Sequence, residues 1–407
     1  MNPDLPPVSP RRGGGLADLL AGHRVLVCVG SGGVGKTTMA ASLALAAALS
    51  GSRAIVLTID PARRLADSLG VGPIGNAPRP VPLDPFPNAK GGSLDAMMLD
   101  QKGSWDALVE RHAPTPEIAA RIRKNPFYQQ LSETFAGSQE YMAVEQLGAL
   151  VASGRWDLVV VDTPPSQHAI DFLEAPQRLL GFLDRQVVRW FVSPTGGFGW
   201  SAFQAMNRTA GFLLRRLEEA TGLATLGQVG DFFNDMSGLF DGFEERFHRV
   251  MGLLRDPATA FLLVASPDEQ VLGQVEFLSG RMAAMEMPLK GVIMNRVHDA
   301  GLAPGLERLG DAERRDLLEA GLRGQQPDGE DLAGRLLANL KAHQVRARGD
   351  ALRIENFRDD LGLDTPLLQV PELDGDVHDL QSLAGLHRYL LAEASATEVD
   401  GDAQIRS

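Results

Sequence analysis

Cysteine is the scarcest residue in this 407-residue sequence, which contains it once, at position 28. One thiol can form no disulfide within the chain, and it cannot build a cysteine metal site. Cys28 lies inside the apolar run 25–29. We therefore expect a small buried hydrophobe there and exclude a cysteine-based redox or metal site.

Basic residues and long apolar runs are also in short supply. The chain carries 39 basic and 52 acidic residues, a net charge of −13, which excludes nucleic acid as an expected partner. No stretch approaches the ~20 apolar residues of a membrane helix. The N-terminal residues 1–15 have no apolar core for export. We expect a cytoplasmic protein that is peripheral at a membrane only through a partner.

Strands and helices alternate along the chain, which predicts an α/β fold doubly wound around a mostly parallel sheet. We expect a disordered leader at 1–22, a core in two parts at 23–170 and 257–395, an inserted helical subdomain at 171–256, and a disordered acidic tail at 396–407. The proline- and glycine-rich stretch 72–92 can hold neither a helix nor a central strand, so we expect a surface loop there.

The most informative motif follows the first apolar run. The spacing G-x-x-x-x-G-K-T at residues 30–37 predicts a phosphate-binding loop, called the phosphate loop below. Its backbone amides would fold around an anion, and glycine permits the dihedral angles that this requires. The alternative is a glycine-rich turn that binds nothing. The predicted nucleotide-binding residues are Gly30, Ser31, Gly32, Gly33, Val34, Gly35, Lys36, Thr37 and Thr38.

A second motif lies where the apolar run 158–161 ends at Asp162. A strand-end aspartate downstream of a phosphate loop predicts the carboxylate that orients magnesium or its water ligands. The alternative is an ordinary helix cap or turn residue. The two motifs together predict a nucleotide and magnesium as ligands.

Large apolar residues are unusually dense at 170–255, in a region of helical spacing. A compact helical lobe would bury them in its own core. Alternatively, part of this set, which is rich in phenylalanine and methionine, lines an apolar groove for a helix or an acyl chain. The residues alone leave both interpretations open.

Five segments together resemble the ArsA family of P-loop NTPases, within the deviant Walker A group of dimeric nucleotide switches. They are GSGGVGKTT at 30–38, TIDPARRLADSLG at 58–70, VVVDTPPSQHAIDFL at 159–173, ASPDEQ at 265–270 and MNRV at 294–297. The family includes the arsenite-pump ATPase and the ATPase for guided entry of tail-anchored membrane proteins. The resemblance implies an ATPase that uses ATP and magnesium.

The resemblance implies two catalytic residues and two metal ligands. Lys36 would act on the phosphates, and Asp60 would orient or deprotonate the attacking water. Thr37 and Asp162 would hold magnesium. The alternative for Asp60 is a cap for a helix that begins at position 61.

The resemblance also implies a sensor and a base site. Thr163 and His168 would form, with the strand-end aspartate before them, the switch that senses the γ-phosphate. Asn295 and Arg296 would lie at the adenine, and the loop at Pro371 would close over the base. An ordinary structural role is the alternative for His168, and a strand-end turn former is the alternative for Asn295.

Three departures from the family pattern shape the expected partners. Ser31 stands where the family usually has a lysine that reaches the partner's nucleotide, so we expect a slow homodimer or a heterodimer with a paralogue that supplies the lysine. Arg63 and Arg64 are candidate substitute cations. The cysteines of a zinc clamp or a metalloid site are missing. The chain has one phosphate loop, so any dimer must form between chains.

The expected function is that of a dimeric ATP-hydrolysing switch that couples closure to the helical region 171–256. The alternative is a chaperone or adaptor for membrane-protein helices or envelope components, with ATP used mainly to open and close. An anion-transport ATPase subunit and a nonhydrolysing scaffold are two further alternatives.

Overall fold

The computed structural model describes residues 16–60, 64–87, 89–134, 138–164, 232, 235–236, 245–246, 248–299, 309–322, 331–361, 366–373 and 375–391. In chain order the helices and strands are α1 (Leu16–Gly22), β1 (Val25–Gly30), α2 (Lys36–Leu49), β2 (Arg53–Thr58), α3 (Arg64–Ser68), β3 (Arg79–Val81), β4 (Ser93–Met98), α4 (Gln101–His112), α5 (Pro116–Lys124), α6 (Pro126–Thr134), α7 (Ser138–Ala152), β5 (Leu158–Asp162), β6 (Thr259–Ala265), α8 (Glu269–Ala284), β7 (Leu289–Val297), α9 (Asp311–Gly321), α10 (Leu332–Leu361), β8 (Leu367–Pro371), α11 (Leu380–Gly385) and α12 (His387–Leu390).

The strands form one eight-stranded sheet in the order β3-β4-β2-β5-β1-β6-β7-β8. Every pair is parallel except β3 with β4. Every residue of β1 is buried, as expected for a central parallel strand that helices cover on both faces. The predicted α/β, doubly wound, mostly parallel sheet is confirmed. The phosphate loop therefore leaves the middle of the sheet, at the carboxyl ends of the strands, where ligands bind in such folds.

Alternate residues of β1 enter two different cores. Val25 and Val27 pack in a core with α4, α5, α7 and α8 on one face of the sheet. Leu26 and Cys28 pack in a second core with the alanine- and leucine-rich α2 on the other face. This two-residue period follows from strand geometry. Cys28 is fully buried, as the sequence predicted.

The burial of Cys28 can be tested by the reactivity of its thiol. Burial raises the pKa of the Cys28 thiol, and no solvent reaches the sulfur. We expect a chromogenic disulfide reagent to leave the folded protein unlabelled for hours and to label one thiol per chain in denaturant. Labelling of the native protein within seconds would contradict the assignment of this residue to the second core.

Two segments have more regular structure than the sequence predicted. Residues 16–22, placed in the disordered leader 1–22, form α1 with Leu16 and Leu20 buried. Their i, i+4 spacing gives the helix an apolar stripe that packs in the second core. Within the expected loop 72–92, residues 79–81 form the edge strand β3, antiparallel to β4. Proline is tolerated there because an edge strand leaves one side of its backbone unpaired.

The predicted helical subdomain at 171–256 lies mostly outside the described residues. Of its apolar residues that are described, Phe232, Met236 and Met251 are buried in the first core. The ring of Phe232 lies 5.0 Å from that of Phe127 on α6, centroid to centroid. These three residues therefore belong to the core on one face of the sheet, and both predictions for the helical region itself, a core of its own or an apolar groove, stay predictions. Over the described residues, no helix combines the length and apolarity needed to cross a membrane.

Candidate nucleotide site

The phosphate loop connects β1 to α2 through glycines in left-handed conformations. Gly33 has φ 77° and Gly35 has φ 93°, dihedral angles that side chains with a β-carbon rarely adopt. Helix α2 begins immediately afterwards, at Lys36. The N-terminal amides of a helix and its partial positive charge favour an anion at this point. The loop has the backbone of an anion site.

Lys36 folds back over the loop that precedes it. Its Nζ donates a hydrogen bond to the carbonyl oxygen of Ser31 at 2.7 Å, and the residue is 7% exposed. Burial lowers the pKa of Lys36, while the carboxylates of Asp162 and Asp60 act in the opposite direction. A bound phosphate would offer this buried ammonium a stronger acceptor than a backbone carbonyl.

The Asp162 carboxylate lies at the end of β5 beside two threonine hydroxyls. Thr37 Oγ1 donates to its Oδ2 at 2.7 Å, and Thr58 Oγ1 donates to the same oxygen at 2.9 Å. The other oxygen, Oδ1, is buried and has no hydrogen-bond partner among the residues that the structure describes. Burial raises the pKa of Asp162 to about 6, although the two hydroxyls and Lys36 favour the charged form. The structure therefore holds a carboxylate oxygen in a costly environment.

The oxygen atoms at this point have the chemistry of a magnesium site. Magnesium prefers carboxylate, hydroxyl and phosphate oxygens, and it commonly takes one or two protein ligands with the rest from water and substrate. Thr37 and Asp162 supply such a pair, and an ion would provide the partner that the buried Oδ1 does not find in the described part of the chain. No cluster of three or more His, Cys, Asp or Glu in the described part of the chain could hold a metal by itself. The residues fit a magnesium ion bound together with a phosphate.

A cavity of about 360 Å³ lies over the phosphate loop. It brings together residues from the loop, from the ends of β2, β5 and β7, and from α3. They are Gly32, Gly33, Gly35, Lys36, Thr37, Thr38, Asp60, Arg64, Ser68, Thr163 and Arg296. Asp60 and Arg64 thus line one cavity together with the loop, and their predicted roles toward a nucleotide stay predictions.

Several predicted residues lie outside this cavity. Ser31 is 2% exposed, and its Oγ donates to Oε1 of Gln274 on α8 at 2.8 Å. Asn295 donates from Nδ2 to the carbonyl oxygen of Val34 at 2.8 Å. Pro371 pairs with β7 in the sheet. The roles predicted for these residues at a nucleotide stay predictions.

The roles predicted for three further residues, Thr163, His168 and Arg63, are not tested by the structure. Thr163 lines the cavity, but its hydroxyl donates to the carbonyl oxygen of Cys28 at 2.7 Å. Its predicted sensing of a γ-phosphate stays a prediction. His168 and Arg63 lie outside the described residues. Position 61, where the helix capped by Asp60 in the alternative interpretation would begin, also lies outside them.

Sequence reasoning missed two polar contacts around Asp60. Thr58, two positions before it, binds the carboxylate of Asp162. Gln139 on α7 donates from Nε2 to the carbonyl oxygen of Ile59 at 2.5 Å. The threonine could have been found from its place at the end of β2. The glutamine could not, because 80 positions separate it from its acceptor.

Comparisons with known proteins place the chain in a family. A family model described as an anion-transporting ATPase matches residues 23–304. Protein Rv2184c of Mycobacterium tuberculosis is 33% identical over 171 residues, covering 40% of this chain and 39% of the relative. ATPase GET3 of Malassezia globosa is 32% identical over 154 residues, covering 38% of this chain and 43% of the relative. ATPase ARSA2 of Chlamydomonas reinhardtii is 27% identical over 276 residues, covering 66% of each.

The matched regions span about two fifths of the length of the Mycobacterium and Malassezia proteins. The family model, in contrast, covers well over half of this chain and includes β1, the phosphate loop and the strand that carries Asp162. The resemblance found in the sequence is thereby confirmed. The chain belongs to the ArsA family of anion-transporting ATPases.

Proposed function

We propose that the chain binds ATP with magnesium over the phosphate loop and hydrolyses it. The proposal is supported chiefly by the Thr37–Asp162 pair beside the cavity that Lys36 and Asp60 line. Oδ1 of Asp162 is buried there and has no hydrogen-bond partner within the described ranges of the chain. Mg-ATP would offer a cation to the buried carboxylate oxygen and a phosphate acceptor to the Lys36 ammonium. Release of phosphate from ATP by the purified chain, dependent on magnesium, is the direct test.

Each side chain has a distinct part in the proposed reaction. The loop amides and Lys36 bind the phosphate oxygens and offset the charge that develops on them. Magnesium, when bound, neutralises phosphate charge. Asp60 orients a water toward the γ-phosphorus and takes its proton as the new oxygen–phosphorus bond forms. The bond from the γ-phosphorus to the bridging oxygen breaks, and ADP and phosphate leave.

The proposed switch couples this reaction to the region 171–256. Its density of phenylalanine and methionine supports a surface that adapts to an apolar partner. The alternative function, a chaperone or adaptor for membrane-protein helices or envelope components, uses the same site mainly to open and close. Nucleotide-dependent binding of a fluorescent apolar peptide favours the chaperone. Turnover stimulated by a small anion, without peptide binding, favours a transport ATPase subunit.

Ser31 makes the proposed dimer testable. Its short hydroxyl is turned toward Gln274 and has neither the charge nor the reach to neutralise phosphate oxygens on a partner chain. We expect slow turnover by this chain alone and about a tenfold or larger increase when a paralogue with lysine at the equivalent position is added. Ser31→Lys should raise turnover in the same direction. If neither change alters the rate, the proposed action between chains is wrong.

Partners of the chain can be found with a trapped form. Asp60→Asn should keep ATP bound, so affinity purification of this variant from native cells should retain the closed complex. A co-purified paralogue supports the heterodimer, and a membrane protein supports the chaperone function. Recovery of the chain as a homodimer alone contradicts the heterodimer.

A further inference from the structure

Asn295 ends β7 against the phosphate loop. Its Nδ2 donates to the carbonyl oxygen of Val34 at 2.8 Å, and the residue is 8% exposed. A Cβ built on Gly35 would lie 2.5 Å from the same Nδ2, so the amide packs directly on the loop backbone. The contact joins residues that are 261 positions apart. It is therefore a tertiary contact that anchors the phosphate loop to β7.

The backbone of β7 is distorted where this contact is made. Arg296 has φ 58°, a left-handed conformation that is unfavourable for a residue with a β-carbon. The register between β7 and β8 also shifts between Met294 and Val297. This strained step leaves Asn295 buried against the loop and Arg296 exposed at the cavity. Strain of this kind persists only where surrounding contacts fix it.

The hydrogen bond to the Val34 carbonyl also fixes the direction of the Gly35 N–H. The Val34–Gly35 peptide is planar and trans, so its N–H points away from its carbonyl oxygen. With that oxygen bound to Asn295, the N–H of Gly35 is directed to the opposite side. Gly35 lines the cavity, whereas Val34 and Asn295 do not. A peptide free to rotate could turn its carbonyl toward the phosphates, which would repel them.

We infer that Asn295 is a positioning residue that holds the phosphate loop in its anion-binding shape, independently of the base that the nucleotide carries. The inference deepens the proposed function and rests on it for its effect on binding. The hydrogen bond between Ser31 and Gln274 on α8 fastens the same loop near its start. Two side chains from the segment 257–395, those of Gln274 and Asn295, thus contact the phosphate loop at two points.

The test compares ATP with tripolyphosphate, which has the phosphates but no base. Asn295→Ala removes the donor, and Asn295→Asp keeps the shape but places an acceptor against the Val34 carbonyl. We expect both variants to bind ATP and tripolyphosphate about tenfold more weakly, by the same factor for the two ligands. Affinities are measured by calorimetry on the full chain with magnesium.

The matched control is Asn125→Ala. The Asn125 side chain accepts hydrogen bonds from the backbone of Phe127 and Tyr128 at the start of α6, remote from the loop. This control should lower the melting temperature and leave both affinities unchanged. A loss for ATP with unchanged tripolyphosphate binding would overturn the inference in favour of adenine recognition. Unchanged binding of both ligands would overturn it as well.

A second readout needs no ligand. Amide hydrogen exchange in residues 31–35 of the ligand-free protein should rise about tenfold in Asn295→Ala and stay unchanged in Asn125→Ala. If the wild-type chain binds no ATP, the proposed function fails, and this exchange still decides whether Asn295 holds the loop. Equal amide hydrogen-exchange rates in wild type and Asn295→Ala would contradict the inference that Asn295 holds the phosphate loop in place. Should Asn295→Ala not fold, Asn295→Asp takes its place in both measurements.

Discussion

Asp60→Asn is expected to lower ATP turnover by about 10² to 10⁴-fold while leaving the Kd for Mg-ATP within about threefold. The amide can still hydrogen-bond to a water, but it cannot take the proton. Asp60, which follows β2, lines the same cavity as residues of the phosphate loop. Single-turnover kinetics with saturating ATP separate the loss in the chemical step from any loss in binding.

The control for this variant is Asp67→Asn on α3. Asp67 is an exposed carboxylate seven positions further along the chain, and it does not line the cavity. Its substitution changes the net charge by the same amount, so turnover should stay within about twofold of wild type. Full turnover in Asp60→Asn would show that another group activates the water.

Asp162→Asn is expected to weaken binding of Mg-ATP by at least about tenfold and to stabilise the protein without ligand at neutral pH. Burial raises the pKa of Asp162 to about 6, above the value of 3.8 for an unperturbed carboxyl. The folded chain therefore binds the proton more tightly than the unfolded chain does. Between these values the wild type loses stability as pH rises, and above about pH 6 the penalty is fully present.

Asparagine carries no charge to bury, so the variant escapes that penalty. The gain in the free energy of unfolding should be about 3 kcal/mol above pH 7 and should disappear below about pH 4. Denaturant unfolding at several pH values measures it, and calorimetry with and without magnesium measures the binding loss. A variant that is less stable than wild type at pH 8 would contradict the costly buried carboxylate.

The two effects of Asp162→Asn have opposite signs for one reason. A buried carboxylate oxygen with no partner among the described residues is expected to destabilise the folded chain, and the same oxygen suits a cation. Sites that bind ligands commonly keep such unfavourable groups at the expense of stability. An aspartate with a purely structural role would not lower stability and promote Mg-ATP binding at the same time. The two measurements together therefore show whether Asp162 serves binding.

Local patterns were enough to predict the centre of the site. The apolar run of β1, the glycine spacing and the start of α2 at Lys36 lie within a dozen residues, and each has a short-range physical cause. The strand that ends at Asp162 was predicted by the same reasoning. The parallel sheet then brings the two together, because β5 is the neighbour of β1.

The contacts that hold these groups in place could not be predicted in the same way. Ser31 meets Gln274 across 243 positions, and the Ile59 carbonyl meets Gln139 across 80. A single sequence carries no signal that pairs such residues, since either side chain is ordinary on a helix surface or in a turn. Helix α1 was missed for a different reason. Its seven residues adjoin a proline- and glycine-rich stretch whose composition dominated the prediction.

Calorimetry of the wild-type chain with ATP and magnesium is the decisive test of nucleotide binding at the phosphate loop. We expect saturable heat with one ATP per chain, a Kd in the range of about 1 μM to 1 mM, and loss of the heat in Lys36→Ala. Adenosine should give no such signal, because the phosphates supply the main contacts. Absence of heat with wild type, or unchanged binding in Lys36→Ala, would contradict the assignment of residues 30–37 as the phosphate site.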